Sequence, residues 1–371
     1  MRLKLRMLPY LLLLLPFDLV VAFCLCVSVP LCFRKQRGTE TQRVASNIAT
    51  IIIVNWDGKH LLAECLPALI KAIQYDGRTH EIMVVDNGST DGSIEFVRQN
   101  FPCVRILPLD RNYGFSTGNN RGIAEVRTDI VILLNNDMIV DRGFLGPLLD
   151  GFSDPSVFAV TSQIFFPDAT RRREETGKTR ARFEHGFFYL WHDDIEPATQ
   201  STESIPVFWA GGGSCAIDRK KYLVLGGFDS LYHPFYLEDT DLSYQAWKRG
   251  WKCLLAPVSR VIHMHRSTSK TKFGEDFVEN TVRKNQYLFL WKNVTDVSLV
   301  LRHLVNLPRI HARAMRNHTP AFEIRAFLRA FRQLPGALGR RVRVASHYAI
   351  SDREVLVRSQ KPAAGGPDAK K

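Results

Sequence analysis

The run VVDNGSTDGS, Val84 to Ser93, constrains this chain more than any other stretch. Four apolar residues, Ile82 to Val85, end in the carboxylate of Asp86; a polar, glycine-containing turn follows, and an amphipathic segment begins near Asp91. A buried strand that releases an acid into a crevice just before a helix N-terminus is how open α/β sheets build ligand sites.

The surrounding pattern repeats that unit. Ile48–Val54, Glu81–Val85, Val104–Leu107 and Ile130–Leu134 read as buried strands. Between them, Leu61 to Ile73, Asp91–Asn100 and Ser116–Val126 carry apolar residues at helical spacing. Such alternation predicts an α/β fold, Rossmann-like, with a mostly parallel sheet covered by helices on both faces. Right-handed crossovers bring the C-terminal strand ends to one edge. The residues just past those ends are Asn55 and Asp57, Asp86 and Asn87, and Asn135 to Asp137.

The flanks are of different character. Leu8 to Phe33 is a 26-residue apolar stretch with one charge, Asp18, longer than the ~20 residues a membrane-crossing helix needs. Basic residues flank both ends, and Pro16 and Asp18 interrupt it. A simple span is therefore favoured over a re-entrant hairpin, and both over a cleaved signal. A linker (34–47) separates this membrane segment (1–33) from a catalytic-type domain expected over 48–297. Basic amphipathic helices are expected over 298–360 and disorder over 361–371. Of the net charge of +13, much lies late: Arg302 to Lys361 holds 13 Lys/Arg against 3 Asp/Glu. That points to an anionic partner, and with no RNA-binding signature the membrane is favoured over nucleic acid. Seven scattered cysteines without a CxxC pair argue against a zinc cluster or disulfide framework. The stretch 152–205, with its basic run Arg171–Arg173 and aromatics Phe183 to Trp191, lacks periodicity and reads as a functional loop.

The chemistry is read from the strand ends. NWDGKH after the first strand is not GxGxxG, which argues against a dinucleotide-dependent dehydrogenase. Asp86 alone would suit a turn cap; together with Asn55, Asp57 and Asp137 it suits a nucleoside, whose hydroxyls and base edges pair with carboxylates and amides. Asn135-Asn136-Asp137 lies between the apolar runs ILL and MIV. An acid there is costly unless paired or bound to a cation, and Mg²⁺ or Mn²⁺ carrying a diphosphate fits; a plain turn is the alternative. Glu238-Asp239-Thr240-Asp241 opens a helix-like segment. Acids suit a helix start, but three in four residues leave one to act as a base toward an acceptor hydroxyl. His263 and His265 follow a short apolar piece, and one of them is a candidate metal ligand. The sequon at Asn87 falls within the nucleotide site, where a glycan would block binding, which favours a cytoplasmic domain at the cytoplasmic membrane.

These motifs, in order, resemble the family 2 inverting glycosyltransferases of the GT-A fold, especially the rhamnosyltransferase-like branch. The resemblance runs from about Ala49 to Asn293 through IIIVNWDG, VVDNGSTDGS, NYGFSTGNNRG, LLNNDMIV, GGGSCAIDR, FYLEDTDLSYQAWKRGW and the RKN ending at Asn285. It implies a nucleotide-sugar donor held by Asn55, Asp57, Asp86, Asn87, Gly114, Phe115, Asn119, Asn120 and Asn136. It further implies a divalent metal at Asn135-x-Asp137 with His263, and Asp239 as catalytic base beside Glu238. Trp209, Gly211, Gly212 and Asp241, with the 170–205 insertion, are the candidates for the acceptor side. The acceptor implied is a saccharide or lipid-linked saccharide in cell-surface polysaccharide synthesis, and the donor a UDP- or dTDP-sugar, rhamnose among them. A sugar nucleotidyltransferase is the alternative, but NWDGKH is a poor triphosphate loop. A non-catalytic membrane or RNA-binding scaffold is a more distant one.

Overall fold

The computed structural model describes residues 7–31, 48–168, 170, 175–195, 202–264 and 272–360. The four predicted strands form as expected: β1 (Ala49–Asn55), β2 (Glu81–Asp86), β3 (Arg105–Pro108) and β4 (Ile130–Leu134). They pair in parallel, with α2 (Lys59–Asp76), α3 (Ser93–Asn100) and α4 (Gly114–Glu125) as crossovers; α1 is the apolar N-terminal helix Leu8–Leu31. The reason is the near-unbroken apolar content of β1, β2 and β4, buried on both faces.

Beyond β4 the sheet is mixed. β5 (Met138–Val140), α5 (Leu145–Asp150), β6 (Val157–Phe165), β9 (Ile205–Pro206), β10 (Ser214–Asp218) and β11 (Lys252–His263) complete nine strands. The order is β3-β2-β1-β4-β10-β6-β11-β5, with β9 on the side of β11. β10 runs antiparallel to both β4 and β6, and β11 runs antiparallel to β5. The helices α6 (Arg219–Leu225) and α7 (Glu238–Lys248) lie between β10 and β11 in the chain.

The stretch 152–205 is not the open loop its composition suggests. β6 inserts between β10 and β11, with eight of its nine residues buried. Its polar residues hid it: Thr161 and Ser162 break the apolar run, yet both hydroxyls donate to the Ser214 carbonyl at 3.3 and 3.2 Å. That satisfies them inside the core. β7 (Thr179–Glu184) and β8 (Phe187–His192) form a separate hairpin. Phe188 packs edge-on against Tyr244 and Phe289, so Phe187 and Phe188 belong to the core, whereas Trp191 is exposed. Arg171–Arg173 lie outside the described residues.

The basic helices form: α8 (Glu275–Asn293), α9 (Val297–Asn317), α10 (Pro320–Arg332), α11 (Leu334–Ala345) and α12 (Asp352–Arg358). They share the main core, to which Leu299, Leu307, Met315 and Phe327 contribute alongside Tyr244 and Phe208. Asp352 ties them in: it accepts from Lys248 Nζ and Tyr244 Oη at 2.7 Å each, and from the backbone N–H groups of Thr295 and Asp296. α1 is one continuous helix through Pro16 and Asp18, so the hairpin alternative does not appear. Residues 34–47 and 361–371 lie outside the described residues.

Candidate active site

Three strand registers assemble the site. β1 and β2 pair so that Asn55 sits opposite Asp86. β10 pairs with β4 so that Ser214 faces Leu134, which sets the Gly211–Gly213 loop against the 135–137 turn. β11 pairs with β5 so that His263 faces Met138, next to Asp137.

Asn55 is the hub of the first cluster. It is fully buried. Its Nδ2 donates to Ser93 Oγ at 3.0 Å and reaches Ser89 Oγ and Asp86 Oδ2 at 3.3 and 3.4 Å. Its Oδ1 accepts from Asn136 Nδ2 at 2.8 Å, joining the 135–137 turn to the strand ends. Asp86 accepts the Ser89 N–H at 2.9 Å, and Asp57 accepts the Thr90 N–H at 2.8 Å. Two carboxylates thus organise the 88–91 turn from both sides. Asp57 adopts a left-handed φ of 49° and keeps its second oxygen 3.7 Å from Lys272 Nζ, which lies over the Trp56 ring. Neither Lys272 nor Ser89 was singled out from the sequence.

Several expected donor residues serve the fold instead. Asn87 is buried, accepts the Tyr113 N–H at 2.9 Å and donates to Asn112 Oδ1 and the Gly114 carbonyl. It clips the 111–114 turn in place. Asn119 donates back to the Phe115 carbonyl of its own helix. Asn120 accepts from Tyr222 Oη and the Phe228 N–H and donates to the Phe228 carbonyl, stitching α4 to the turn after α6. The amide oxygens and nitrogens of Asn87 and Asn120 are engaged by these bonds. Gly114 has φ 80° and faces the loop at His233 and Pro234, while Phe115 lies beside Phe228 and under Gly212.

The second cluster surrounds Asp239. Its Oδ2 accepts the Gly212 N–H at 3.1 Å, and its Oδ1 accepts the Thr240 N–H at 2.6 Å. The next glycine, Gly213, accepts the Asn135 N–H at 2.8 Å, and a Cβ on it would collide with Asn135 Nδ2 at 2.8 Å. One loop therefore touches both the acid helix and the 135–137 turn, and glycine there permits the close approach. Gly211 closes this loop by accepting the Ser214 N–H. Glu238 is buried, and its Oε2 has no hydrogen-bond partner among the described residues. Burial, then the charge of Asp239, pushes the Glu238 carboxyl up to about 8. Burial raises Asp239 as well, opposed by its N–H donors. Glu238 is the more strongly disfavoured as an anion, with no donor on its Oε2, whereas the N–H donors on Asp239 favour its charged form.

Asp241 and Trp209 are both buried within the fold. Asp241 is fully buried and accepts from Tyr232 Oη, Gln245 Nε2, Lys292 Nζ and Asn293 Nδ2 at 2.6–2.8 Å. Trp209 packs edge-on to His192 and Phe208 beneath the β7–β8 hairpin. Asn285 Nδ2 donates to the carbonyls of Tyr232, Phe235 and Tyr236 at 2.8–3.0 Å, fixing the loop that enters α7. That loop carries exposed Tyr236, and Phe235 packs against the partly exposed pair Phe273 and Phe277.

At the third cluster, His263 Nε2 lies 3.2 Å from Asp137 Oδ2 and Nδ1 lies 3.0 Å from Glu175 Oε2. Burial lowers the imidazole's pKa, but the two carboxylates outweigh it and raise it to about 9. Among the described residues no three His, Cys, Asp or Glu side chains already surround one point as metal ligands. The donor chemistry fits a hard divalent cation nonetheless. Asp137 keeps Oδ1 without a hydrogen bond among the described residues, and an imidazole backed by a carboxylate is the usual form of a histidine ligand. Glu175 was missed because it lies in a run with no periodicity. His265 lies outside the described residues.

A half-parallel sheet with a nucleoside-type edge and an acid helix returned to it is the GT-A fold of glycosyltransferases. The solved structure of GalNAc-T7 with UDP, GalNAc and Mn²⁺ shares it at a TM-score of 0.55 and 17% identity, over 84% of this chain and 62% of that one. The chain resembles the Glycosyl transferase family 2, whose model matches residues 50–222. Within it the likeness is to the rhamnosyltransferase-like branch. The N-acetylglucosaminyl-diphospho-decaprenol L-rhamnosyltransferase of Mycobacterium tuberculosis is 28% identical over 272 residues, 66% of this chain and 84% of that protein. N-acetylgalactosaminyltransferase 6 of Drosophila melanogaster is 27% identical over 230 residues, 58% of this chain but only 33% of that longer protein.

Proposed function

We propose that this enzyme transfers a sugar from a nucleotide-diphosphate donor, UDP- or dTDP-linked, to the hydroxyl of a lipid-linked saccharide, with inversion. One observation carries the reading: the Gly211–Gly213 loop hydrogen-bonds Asp239 on one side and Asn135 on the other, so base and diphosphate side meet at one edge. Asp86, Asp57 and the 88–91 turn hold the nucleoside. Asp137 and His263 would hold Mg²⁺ or Mn²⁺, with Asn135 beside them. When bound, such an ion neutralises the charge that develops on the leaving diphosphate. Asp239 takes the proton of the acceptor hydroxyl, which attacks the anomeric carbon opposite the nucleotide. A nucleoside diphosphate leaves without protonation by a second acid, so Glu238 is not required to donate.

The lipid-linked acceptor is supported by the printed substrate of the mycobacterial relative and by the exposed aromatics Tyr236, Phe273 and Phe277, gathered around Phe235 in the loop that leads into the Asp239 helix. A cytoplasmic site at the membrane is supported by α1, long and apolar enough to cross a bilayer, and by the burial of Asn87, which leaves no room for a glycan at that sequon. The test is a panel of sugar nucleotides offered with lipid-linked acceptors. Release of nucleoside diphosphate on adding acceptor is expected. Pyrophosphate instead would make the enzyme a nucleotidyltransferase.

A further inference from the structure

α1 has two faces. Leu14, Asp18, Val21, Leu25 and Val29 are buried, at spacings of three and four residues that define one helical stripe. They pack against α9, α10 and α11. Phe17 meets Phe331 edge-on with ring centroids 5.0 Å apart. Asp18, the one charge in the helix, lies 3.1 Å from His311 Nε2 on α9, and His311 Nδ1 lies 2.8 Å from Glu323 on α10. Glu323 in turn accepts from Arg283 on α8. The opposite face exposes Leu12, Leu13, Leu19, Val20, Phe23 and Val27.

The docked stripe continues from Met7 to Val29, about 33 Å of helix at 1.5 Å per residue. That equals the hydrocarbon thickness, so no span-length piece is left free of the domain. An upright α1 would drag its partners into the bilayer. Those partners expose Arg302, Arg309, Arg313, Arg316, Arg325 and Arg332. Arginines on lipid-facing helix surfaces are strongly disfavoured at the bilayer centre and favoured at anionic headgroups. α9 adds an exposed apolar line, Val297, Leu301 and Val305, beside its arginines, which is the mixed character of an interfacial helix.

We infer that α1 lies in the plane of the membrane, its outer face inserted among acyl chains and its inner face locked to α9–α11, and does not cross the bilayer. The occupant of the exposed face is an anionic lipid surface. This rests on the reading of the enzyme as membrane-bound.

The test uses the full chain in sealed inverted and right-side-out membrane vesicles, with Cys24, Cys26, Cys32 and Cys103 changed to alanine. Single cysteines Arg2→Cys and Arg37→Cys are probed with an impermeant maleimide. Both are expected to react in inverted vesicles and neither in right-side-out ones. A second variant, Phe17→Cys with Phe331→Cys, is expected to be bridged by a short bis-maleimide in the membrane-bound enzyme. Labelling from opposite sides would overturn the inference, as would same-sided labels without the bridge, which describe a helix detached from the domain. Recovery of the full chain in the soluble fraction would remove the membrane reading itself, a result distinct from either.

Discussion

Gly212 donates its backbone N–H to Asp239 Oδ2 at 3.1 Å, and with the Thr240 N–H on Oδ1 it fixes the direction in which the carboxylate points. A base must be aimed before its proton affinity matters. Asp239→Asn keeps the shape and removes the base. Turnover is expected to fall about 10²–10⁴-fold, the usual share of a general base, while donor affinity measured by calorimetry stays within a few-fold. Near-normal turnover would take Asp239 out of that role.

Glu238 gives a pH signature. Its carboxyl is raised from 4.5 to about 8 by burial and then by Asp239. A carboxyl that binds its proton more tightly when folded contributes stability that is full below its unfolded pKa and is lost as pH rises through about 8. Glu238→Gln cannot ionise, so the fall in thermal stability between pH 5 and 8 should be shallower than in the parent. Turnover at neutral pH should be largely kept, in contrast to Asp239→Asn. An unchanged stability profile would mean that Glu238 is already ionised at neutral pH.

The strand ends were legible because apolar runs and the acids that stop them are local signals. The partners of those acids were not. Asn87 and Asn120 look like ligand residues in the sequence, since nothing local distinguishes an amide aimed at a ligand from one aimed at a backbone 108 positions away, as Asn120 is at Phe228. β6 was hidden by Thr161, Ser162 and Gln163, polar residues made tolerable by a neighbouring strand that the sequence does not place next to them. The same limit applied to the acids of α7. Asp239 and Asp241 are two residues apart, yet only the tertiary structure shows that one meets the glycine loop and the other is enclosed by four donors.

Asp241 should therefore behave as a structural residue. Its pairing with Lys292 is buried on both sides, and removing one partner of a buried ion pair typically costs about 3–5 kcal/mol. Asp241→Ala is expected to lower the thermal midpoint by many degrees or to prevent soluble expression. A variant that kept its melting temperature and lost only turnover would return Asp241 to the acceptor side.

Glu175 should tune metal affinity without touching substrate. It holds Nδ1 of His263 at 3.0 Å while Nε2 faces Asp137. A carboxylate behind a ligating imidazole fixes the ring and its tautomer, and losing such a partner typically weakens metal binding about 10–100-fold. Glu175→Gln should raise the Mn²⁺ concentration needed for half-maximal activity by that factor, with turnover recovered at saturating metal. Asp137→Ala should not recover at any concentration, and a chelator should abolish the parent's activity reversibly. If Glu175→Gln left the Mn²⁺ requirement unchanged, His263 would be an electrostatic partner of Asp137 rather than a ligand.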